Sequence, residues 1–471
     1  MMRKRAVVAF AVIIGALLVM SGFTGCGNGN IDPGITITLT FDSDGGSSVP
    51  SQTVKEGEHF TKPADPTKAG YEFLGWYGVD SSSGQLEDGV FDFDLEYWRS
   101  GTVRAKWLPV FKVDAGNIAE RIKAMTETGK IIASGAFTEE DFTKEGGIRD
   151  ALLELLFDIE NPQYSWDPKI LVTLDLSDVE GLTSIPDNAF FEYSETQNDE
   201  DGNEITDIDK YRKCQNLTGI MLPSSIKSIG DHAFTSCTKL KSIELPEGVE
   251  KIGWQAFSYC TGLESITLPS TLKEIDQYAF TYCYNPALEN ITLPAGLTVI
   301  GYNAFANCDW LKCIEIPGGV KEIKDGAFSN CRWLENVIIH DGVKSIGDEA
   351  FRYVYALKTI IIPDSVEKIG ERAFYCPGDS GSYSVSSLES ITFGTGIKEI
   401  GARAFANCEK LKSATFKDTK STWMVEDWDQ EDNDYKAKPI GAMSGTPEEN
   451  AKKLLDYSDE RLYIADASSE Q

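Results

Sequence analysis

From Phe190 onward, the dipeptide Ala-Phe recurs along this 471-residue chain at nearly constant intervals. The phenylalanines of these dipeptides are Phe190, Phe234, Phe257, Phe280, Phe305, Phe328, Phe351, Phe374 and Phe405. Successive members lie 44, 23, 23, 25, 23, 23, 23 and 31 residues apart. A fixed period of roughly 20 to 50 residues is the sequence signature of a solenoid, in which units too small to bury a core alone stack on one another. The repeat therefore predicts a stack of coils.

Each repeat unit has two halves with different apolar spacing. In the first half, Ile243 and Leu245 are two residues apart, which places both on one face of a strand, and Pro246 then ends the strand because it cannot donate to a ladder. The apolar residues of the second half are Val249, Ile252, Ala256 and Phe257. This spacing predicts a one-turn helical or irregular return whose side chains meet those of the strand. Stacked units then form a continuous parallel sheet on one side and a turn-rich return on the other.

These repeated residues resemble the BspA-like leucine-rich repeats of bacterial surface proteins. The resemblance covers roughly Leu171 to Phe416, within a predicted solenoid at 169–417. It implies a bacterial cell-surface protein whose solenoid binds other proteins. It does not name the ligand, because repeat scaffolds carry unrelated functions on one frame.

The N-terminus reads as an export signal. Arg3, Lys4 and Arg5 precede an apolar run from Ala6 to Met20, which is shorter than the roughly 20 residues of a spanning helix. The run ends in Phe-Thr-Gly-Cys26, which resembles the bacterial lipobox and implies cleavage after residue 25 and a lipid on Cys26. A tether at 26–34 would follow. The expected location is the bacterial cell envelope, lipid-anchored and surface-exposed; the alternative is an ordinary signal peptide with an incidental cysteine.

A small β module is predicted at 35–109. Apolar residues alternate with threonines from Ile35 to Phe41, which predicts a half-buried strand. The glycines, prolines and tryptophans that follow resemble the internalin-type B repeat, a β-grasp-like module. Trp76 and Trp107 are interpreted as core residues.

Segments without repeats flank the solenoid. The spacing predicts helices at 117–125 and 150–157, and residues 110–168 are interpreted as a helical N-terminal cap. Residues 418–471 are interpreted as a C-terminal cap and tail with a helix at 448–457. The predicted fold class is mainly β with short helices, a leucine-rich-repeat solenoid preceded by a small β-grasp-like module.

Charge and residue chemistry exclude several functions. A formal net charge of -30 argues against nucleic-acid partners, whose phosphates require a Lys/Arg stripe. The three histidines, His59, His232 and His340, lie in the β module and in different repeat columns, so no catalytic arrangement emerges. We therefore expect no enzyme activity, no catalytic residues and no cofactor.

Cysteines and acidic residues give no metal site by sequence. Most cysteines fall three residues after the repeated phenylalanine, where a small apolar thiol suits a buried column better than zinc or a disulfide. The acidic insertion at 194–213 carries Asp199 and Asp201 at EF-hand-like spacing, but Gln197 and Ile208 occupy two positions that need carboxylates. A solvated loop is the favoured interpretation, with cation binding left open.

Candidate partner-binding residues lie at positions outside the core columns. Ile338 and Ile361 fall on the outer strand face, where the other units from Leu217 onward carry Thr or Glu and, in one case, Met221; the alternative is that they are only good strand formers. The aromatic candidates are Trp310, Trp333, Tyr353 and Tyr355. Aromatic residues are enriched in interface cores, although these could also pack on one another. Inserted residues follow the same turn in three units, and insertions on one face often mark the binding face.

Three functions fit these patterns. One is an adhesin for host, neighbouring-cell or matrix proteins, attached to the membrane through the N-terminal lipid. A structural envelope spacer without a specific ligand is the second, and a carbohydrate or polymer binder is the third.

The lipobox generates a direct test. Cys26→Ala should release the protein from membranes, because stable anchoring needs two or more acyl chains and this cysteine is where they would attach. Detergent-phase partitioning of wild type and variant measures it. Continued partitioning of the variant into detergent would show that the lipobox interpretation is wrong.

Overall fold

The computed structural model describes residues 35–97, 99–125, 128–154, 170–193, 211–376, 386–429, 434–457 and 459–464. The predicted signal, Cys26 and the tether lie outside these residues, as does most of the acidic insertion. The chain divides into two compact units, Met1–Phe111 and Lys112–Gln471. Among the described helices, none has the length and apolarity to cross a membrane.

The first unit is a β sheet with a β-grasp-like strand order. Its strands are β1 (Thr36–Asp42), β2 (Gln52–Lys55), β3 (Tyr71–Val79), β4 (Leu86–Val90) and β5 (Gly101–Val113). The order is β2-β1-β5-β3-β4, with β1 and β5 parallel at the centre and antiparallel neighbours outside them. Trp76 is fully buried among Phe41 and Phe73, and the Trp107 indole donates to the Ser43 carbonyl at 3.0 Å. Both tryptophans therefore serve the core, as expected.

The segment before the first repeat combines helices with a strand. Its elements are α1 (Ile118–Lys123), β6 (Gly129–Ala136), α2 (Glu140–Thr143) and α3 (Ile148–Glu154). Helix α1 is shorter than the sequence predicts, and residues 155–157 of the second predicted helix lie outside the described residues. Strand β6 was not anticipated: it pairs in parallel with the first repeat strand, β7 (Val172–Glu180). A strand can cover the open edge of a solenoid by supplying backbone hydrogen bonds, which helices alone cannot do.

Most coils begin with a strand that pairs in parallel with the strand of a neighbouring coil. These strands are β7, β11 (Leu217–Met221), β13 (Ser242–Glu244), β15 (Ser265–Thr267), β18 (Cys313–Ile316), β20 (Asn336–Ile339), β22 (Thr359–Ile362), β24 (Ser390–Phe393) and β26 (Ser413–Phe416). They form three sheets, β7 to β15, β18 with β20, and β22 to β26, instead of the continuous sheet that the sequence predicts, and the coil at Ile291 contributes only an isolated bridge between Asn290 and Cys313. Equivalent residues pair in register, as Ile243 does with Ile266 and Ile391 with Ala414. Ile243 and Leu245 are buried while Glu244 is exposed, which confirms the predicted alternation.

The return half of each coil carries a second parallel ladder, which the sequence analysis did not predict. Its strands are two residues long: β8 (Ser184–Ile185), β12 (Ser228–Ile229), β14 (Lys251–Ile252), β16 (Glu274–Ile275), β17 (Val299–Ile300), β19 (Glu322–Ile323), β21 (Ser345–Ile346), β23 (Lys368–Ile369) and β25 (Glu399–Ile400). Each contains one buried isoleucine, and two residues are too few to show the alternation of buried and exposed residues that identifies a strand in the sequence. In several coils a glycine follows this isoleucine, because the backbone there lies close to the previous coil. A Cβ added to Gly370, for example, would lie 2.5 Å from the Asp348 amide nitrogen.

The repeated phenylalanines form a continuous buried column. Neighbouring rings, from Phe190 to Phe405, stack with centroids between 5.0 and 5.4 Å apart. The cysteine column lies beside it, and most of its thiols donate to a carbonyl of the previous coil; the Cys260 Sγ, for example, donates to the Phe234 carbonyl at 3.1 Å. No disulfide joins the nine described cysteines, and burial raises the pKa of Cys260 well above its usual value. The thiols of the column are core residues.

Residues in the left-handed backbone region flank each Ala-Phe pair. The positions two before and two after the phenylalanine include Gln255, Tyr259, Tyr278, Asn303 and Asn307, all with φ between 52° and 60°. This conformation directs the N–H groups along the stack: the Gln255 amide donates to the Gln277 carbonyl at 3.1 Å, and Tyr278 to Tyr302 at 2.9 Å. Hydrogen bonding between coils thus requires a conformation that suits Asn and Gly better than most residues.

Both ends of the stack are covered. At the N-terminal end, Phe142 of α2 makes an edge contact with Phe190 at 5.8 Å. The C-terminal elements are β27 (Thr422–Asp429), β28 (Asp434–Ala442), α4 (Pro447–Asp456) and β29 (Arg461–Ile464). Strand β29 runs antiparallel to β25 and so ends the second ladder, while buried Trp423 packs edge-on against Phe416 at 5.7 Å. A short ribbon of β9 (Phe191–Tyr193) and β10 (Tyr211–Lys213) flanks the acidic insertion.

The phenylalanine column yields a stability prediction. Phe305→Ala should lower the free energy of unfolding by about 3 to 5 kcal/mol, because it empties a fully buried site between Phe280 and Phe328. Urea denaturation measures the loss. Tyr302→Ala, an exposed aromatic in the same coil, is the control and should change stability by less than about 0.5 kcal/mol. Equal losses in both variants would contradict a special role for the column.

The left-handed positions yield a second prediction. Gln255→Asn should raise the free energy of unfolding by about 0.5 to 1 kcal/mol, because asparagine tolerates φ near 52° better than glutamine. The matched control is Gln277→Asn, whose backbone lies outside the positive-φ set and which should gain nothing. If the two variants melt at the same temperature, the positive φ at residue 255 carries no cost.

Candidate functional site

The two exposed isoleucines lie where the column analysis placed them. Ile338 in β20 and Ile361 in β22 are 53% and 65% exposed, whereas both sequence neighbours of each are buried. In register, Ile338 pairs with Glu315 and Ile361 pairs with Thr392. Two consecutive coils therefore present β-branched apolar side chains to solvent at a position where the adjoining coils carry polar ones.

Two tryptophans lie on the turn that leads into this sheet. Trp310 and Trp333 each follow the column cysteine by two residues, and they are 37% and 51% exposed. Backbone hydrogen bonds join this turn across three coils: the Trp333 amide donates to the Asp309 carbonyl at 3.1 Å, and Ala356 to Arg332 at 3.2 Å. We use the name apolar edge for these four exposed residues, Trp310, Trp333, Ile338 and Ile361.

The aromatic rings stack on one another across coils. The Trp310 and Trp333 centroids are 5.8 Å apart, with ring planes within 10° of parallel. Tyr353 and Tyr355 also stack, at 6.3 Å. Mutual packing was one of the two interpretations left open by the sequence, and the structure shows it. Each ring therefore turns one face towards a neighbouring ring instead of presenting it freely.

The two tyrosines are less available than the tryptophans. Both are half-buried. The Tyr353 hydroxyl accepts a hydrogen bond from Arg352 at 2.6 Å, and the Arg352 guanidinium lies 4.3 Å from the centre of the same ring. Tyr353 is thus occupied by an intramolecular contact, so it is a weaker candidate for a partner contact than Trp333.

Charged pairs border the apolar edge. Glu315 accepts from the His340 ring at 2.5 Å beside Ile338, and Arg332 faces Asp309 at 3.9 Å beside the tryptophans. Burial raises the pKa of Asp309, and the nearby Arg332 charge opposes that rise. Elsewhere, Lys241 pairs with Glu264 of the next coil at 2.6 Å. Exposed pairs of this kind contribute at most about 1 kcal/mol each.

Within the described ranges, no group of three or more His, Cys, Asp or Glu side chains could hold a metal ion. The acidic residues 194–210 lie outside those ranges. His232 stacks against Phe191 at 5.5 Å and against Trp254, and burial lowers its pKa. The histidines therefore have structural partners in the solenoid.

Comparisons with known proteins agree with this architecture. The family model for the BspA type leucine-rich repeat region matches in six copies, at 163–287, 282–380 and 378–423, which is more than half of the chain. The chain belongs to the BspA-type leucine-rich repeat family. A second model, the Listeria-Bacteroides repeat domain, matches 38–90 in this BspA-type protein. Leucine-rich repeat domains generally mediate protein binding. No functionally curated protein matches the chain.

Solved structures of similar proteins are also leucine-rich repeat proteins. The BspA-type chain is 32% identical to the leucine-rich repeat protein of T. pallidum, over 39% of this chain and 77% of that one, with a TM-score of 0.32. It is 32% identical to a leucine-rich repeat protein from Bacteroides ovatus, over 46% of this chain and 62% of that one, with a TM-score of 0.33.

Proposed function

We propose that this BspA-type protein is a lipid-anchored adhesin of the bacterial cell surface that binds a partner protein through the apolar edge. The observation that carries the proposal is the exposure of Ile338 and Ile361 at the same strand position of consecutive coils, with exposed Trp333 on the turn that precedes one of these strands. Tryptophans are typical anchors of protein interfaces, where a few well-covered apolar residues supply most of the affinity.

The energy available at this edge suits a specific interface. Fully burying one exposed isoleucine side chain contributes about 1.5 to 3 kcal/mol. Because Ile338 and Ile361 are 53% and 65% exposed, covering both could contribute roughly 2 to 3.5 kcal/mol before the costs of association. The ion pairs around the edge are exposed and weak, so they serve orientation more than affinity.

A rigid spacer without a ligand explains these residues less well. Folding does not require isoleucine at this position, because Thr267 and Thr292 occupy it in other coils and are exposed there. Exposed apolar β-branched residues on a strand also favour unwanted association. A spacer gains nothing that offsets this risk of association, whereas a binding surface gains affinity for its partner.

Carbohydrate binding by the tryptophans is the second candidate. A sugar platform needs an aromatic face that is open to solvent, and the Trp310 and Trp333 rings lie parallel and stacked on each other. This geometry favours a protein partner at this edge. Loss of glycan capture in Trp310→Ala/Trp333→Ala, with protein capture unchanged, would reverse that preference.

The N-terminal features support the location. The basic and apolar segment before Cys26 and the lipobox-like residues fit an exported lipoprotein, and the BspA-type family fits a bacterial surface protein. The proposed arrangement tethers the solenoid outside the membrane, where matrix or host-cell proteins are accessible.

The binding surface generates the main functional prediction. Ile338→Lys/Ile361→Lys should weaken binding to a partner identified in a panel of purified extracellular-matrix proteins by about tenfold or more, near 1.4 kcal/mol. The reason is that two desolvated apolar contacts become charged. Biolayer interferometry on the full chain measures the affinity, and thermal melting checks that folding is intact.

Thr267→Lys/Thr292→Lys is the matched control, since it introduces the same two charges in the same column on other coils. It should bind as wild type. Equal weakening in both double variants would point to net charge instead of the apolar edge. The isolated segment 35–109 should bind nothing comparable, and full binding by it would transfer the function to the first unit.

A further inference from the structure

A cavity of about 460 Å³ opens at the C-terminal end of the solenoid, away from the apolar edge residues. Three consecutive coils contribute to it, together with the connection between α4 and β29, which supplies Asp459. Three arginines line it: Arg352, Arg372 and Arg403. The apolar part of the lining consists of Ala406 and the Tyr375 ring. This volume is within the range of small-ligand sites, roughly 300 to 1,000 Å³.

The repeat geometry brings the arginines together. Arg372 and Arg403 occupy the left-handed position two residues before the column phenylalanine, with φ of 53° and 59°. Glu349 holds the same position one coil earlier, at 56°. Gln255 and Tyr278 show that the fold tolerates other residues at this position, so strain alone does not single out the cavity. What distinguishes the cavity is that three consecutive coils carry a charged residue at this position.

The guanidinium groups have more donors than the surrounding residues use. Arg352 donates to Glu349 at 2.7 Å and to Tyr353, yet its buried Nε has no partner. Arg372 reaches Glu349 and Glu371 through one nitrogen, at 3.7 and 3.2 Å. Within the described residues, Arg403 makes a single ion pair, from Nε to Asp459 at 3.3 Å. Five N–H groups per guanidinium leave donors available for an acceptor in the cavity.

The acidic groups around the arginines select among anions. Glu349, Glu371 and Asp459 face Arg352, Arg372 and Arg403, so this cluster has a balance of 3 − 3 = 0, and an acceptor would be held by the unused donors and not by an excess of charge. A ligand with a single carboxylate meets less repulsion from these three carboxylates than a doubly charged phosphate does. Arginine also pairs with carboxylates through two parallel hydrogen bonds.

The remaining groups suit hydroxyls. The Asn407 amide can donate and accept, the two carboxylates can accept, and the Tyr375 ring offers an apolar face. A cluster of arginine, carboxylate, amide and aromatic ring matches a polyhydroxylated ligand that carries one acid group.

We propose that this cavity binds an acidic sugar, a monosaccharide unit with one carboxylate, through Arg372 and Arg403. The site is separate from the apolar edge and does not depend on the protein-binding proposal. It would let the solenoid engage a glycan that bears a terminal sugar acid.

The test is titration calorimetry of the full chain with sodium glucuronate, glucose and sodium acetate. Glucuronate should bind at least about tenfold more tightly than either of the others, because only it offers both the carboxylate and the hydroxyls. Arg372→Gln/Arg403→Gln should abolish binding. Lys241→Gln/Lys344→Gln removes two cations that pair with glutamates elsewhere on the surface, and it should bind as wild type.

Other results overturn the proposal. Equal affinity for acetate and glucuronate would show a bare carboxylate site without sugar recognition, and absence of glucuronate binding by the wild type would remove the site. If the double arginine variant does not fold, Asn407→Gly replaces it, since glycine keeps the φ of 62° and removes the amide. Unchanged glucuronate affinity in that variant would count against the hydroxyl contacts.

Discussion

Stacking of one phenylalanine per coil is the interaction on which the solenoid depends. A repeat unit of this length buries its core only against its neighbours, so stability is a sum of contacts between adjacent coils. The phenylalanine rings lie between 5.0 and 5.4 Å apart from Phe190 to Phe405. Strand pairing, thiol contacts and the amides of the left-handed residues all act across that same spacing. A ring lost from one coil therefore weakens two interfaces.

Aligning the repeats with one another predicts the solenoid well, because equivalent residues of different coils have the same environment. Burial of Ile243, Leu245 and Phe305, and exposure of Ile338, follow from their positions in the repeat. The second ladder escaped prediction because a strand such as Lys251–Ile252 is too short to show alternation. Strand β6 escaped because the cap is not repeated and has no column to compare.

The candidate binding residues were likewise predicted only in part. Exposure of Ile361 could be predicted, since six of the nine units from Leu217 onward carry Thr or Glu at the equivalent position. Stacking of Trp310 on Trp333 could only be left as an alternative, because ring orientation depends on side-chain rotamers that a repeat pattern does not fix. The arginine cavity was missed because Arg352 lies at a different position of the unit from Arg372 and Arg403, and because an insertion lengthens the interval from Arg372 to Arg403.

The core columns and the remaining positions have separate roles in this chain. Core positions are constrained by stacking and vary little, from Phe234 to Phe405, whereas positions beside them accept Asn303, Tyr278 or Arg372 at similar φ. Substitution there alters the surface while the inter-coil hydrogen bonds persist, because those bonds use backbone amides. A solenoid of this kind can therefore acquire an apolar edge on some coils and a charged cavity on others without a change in its core.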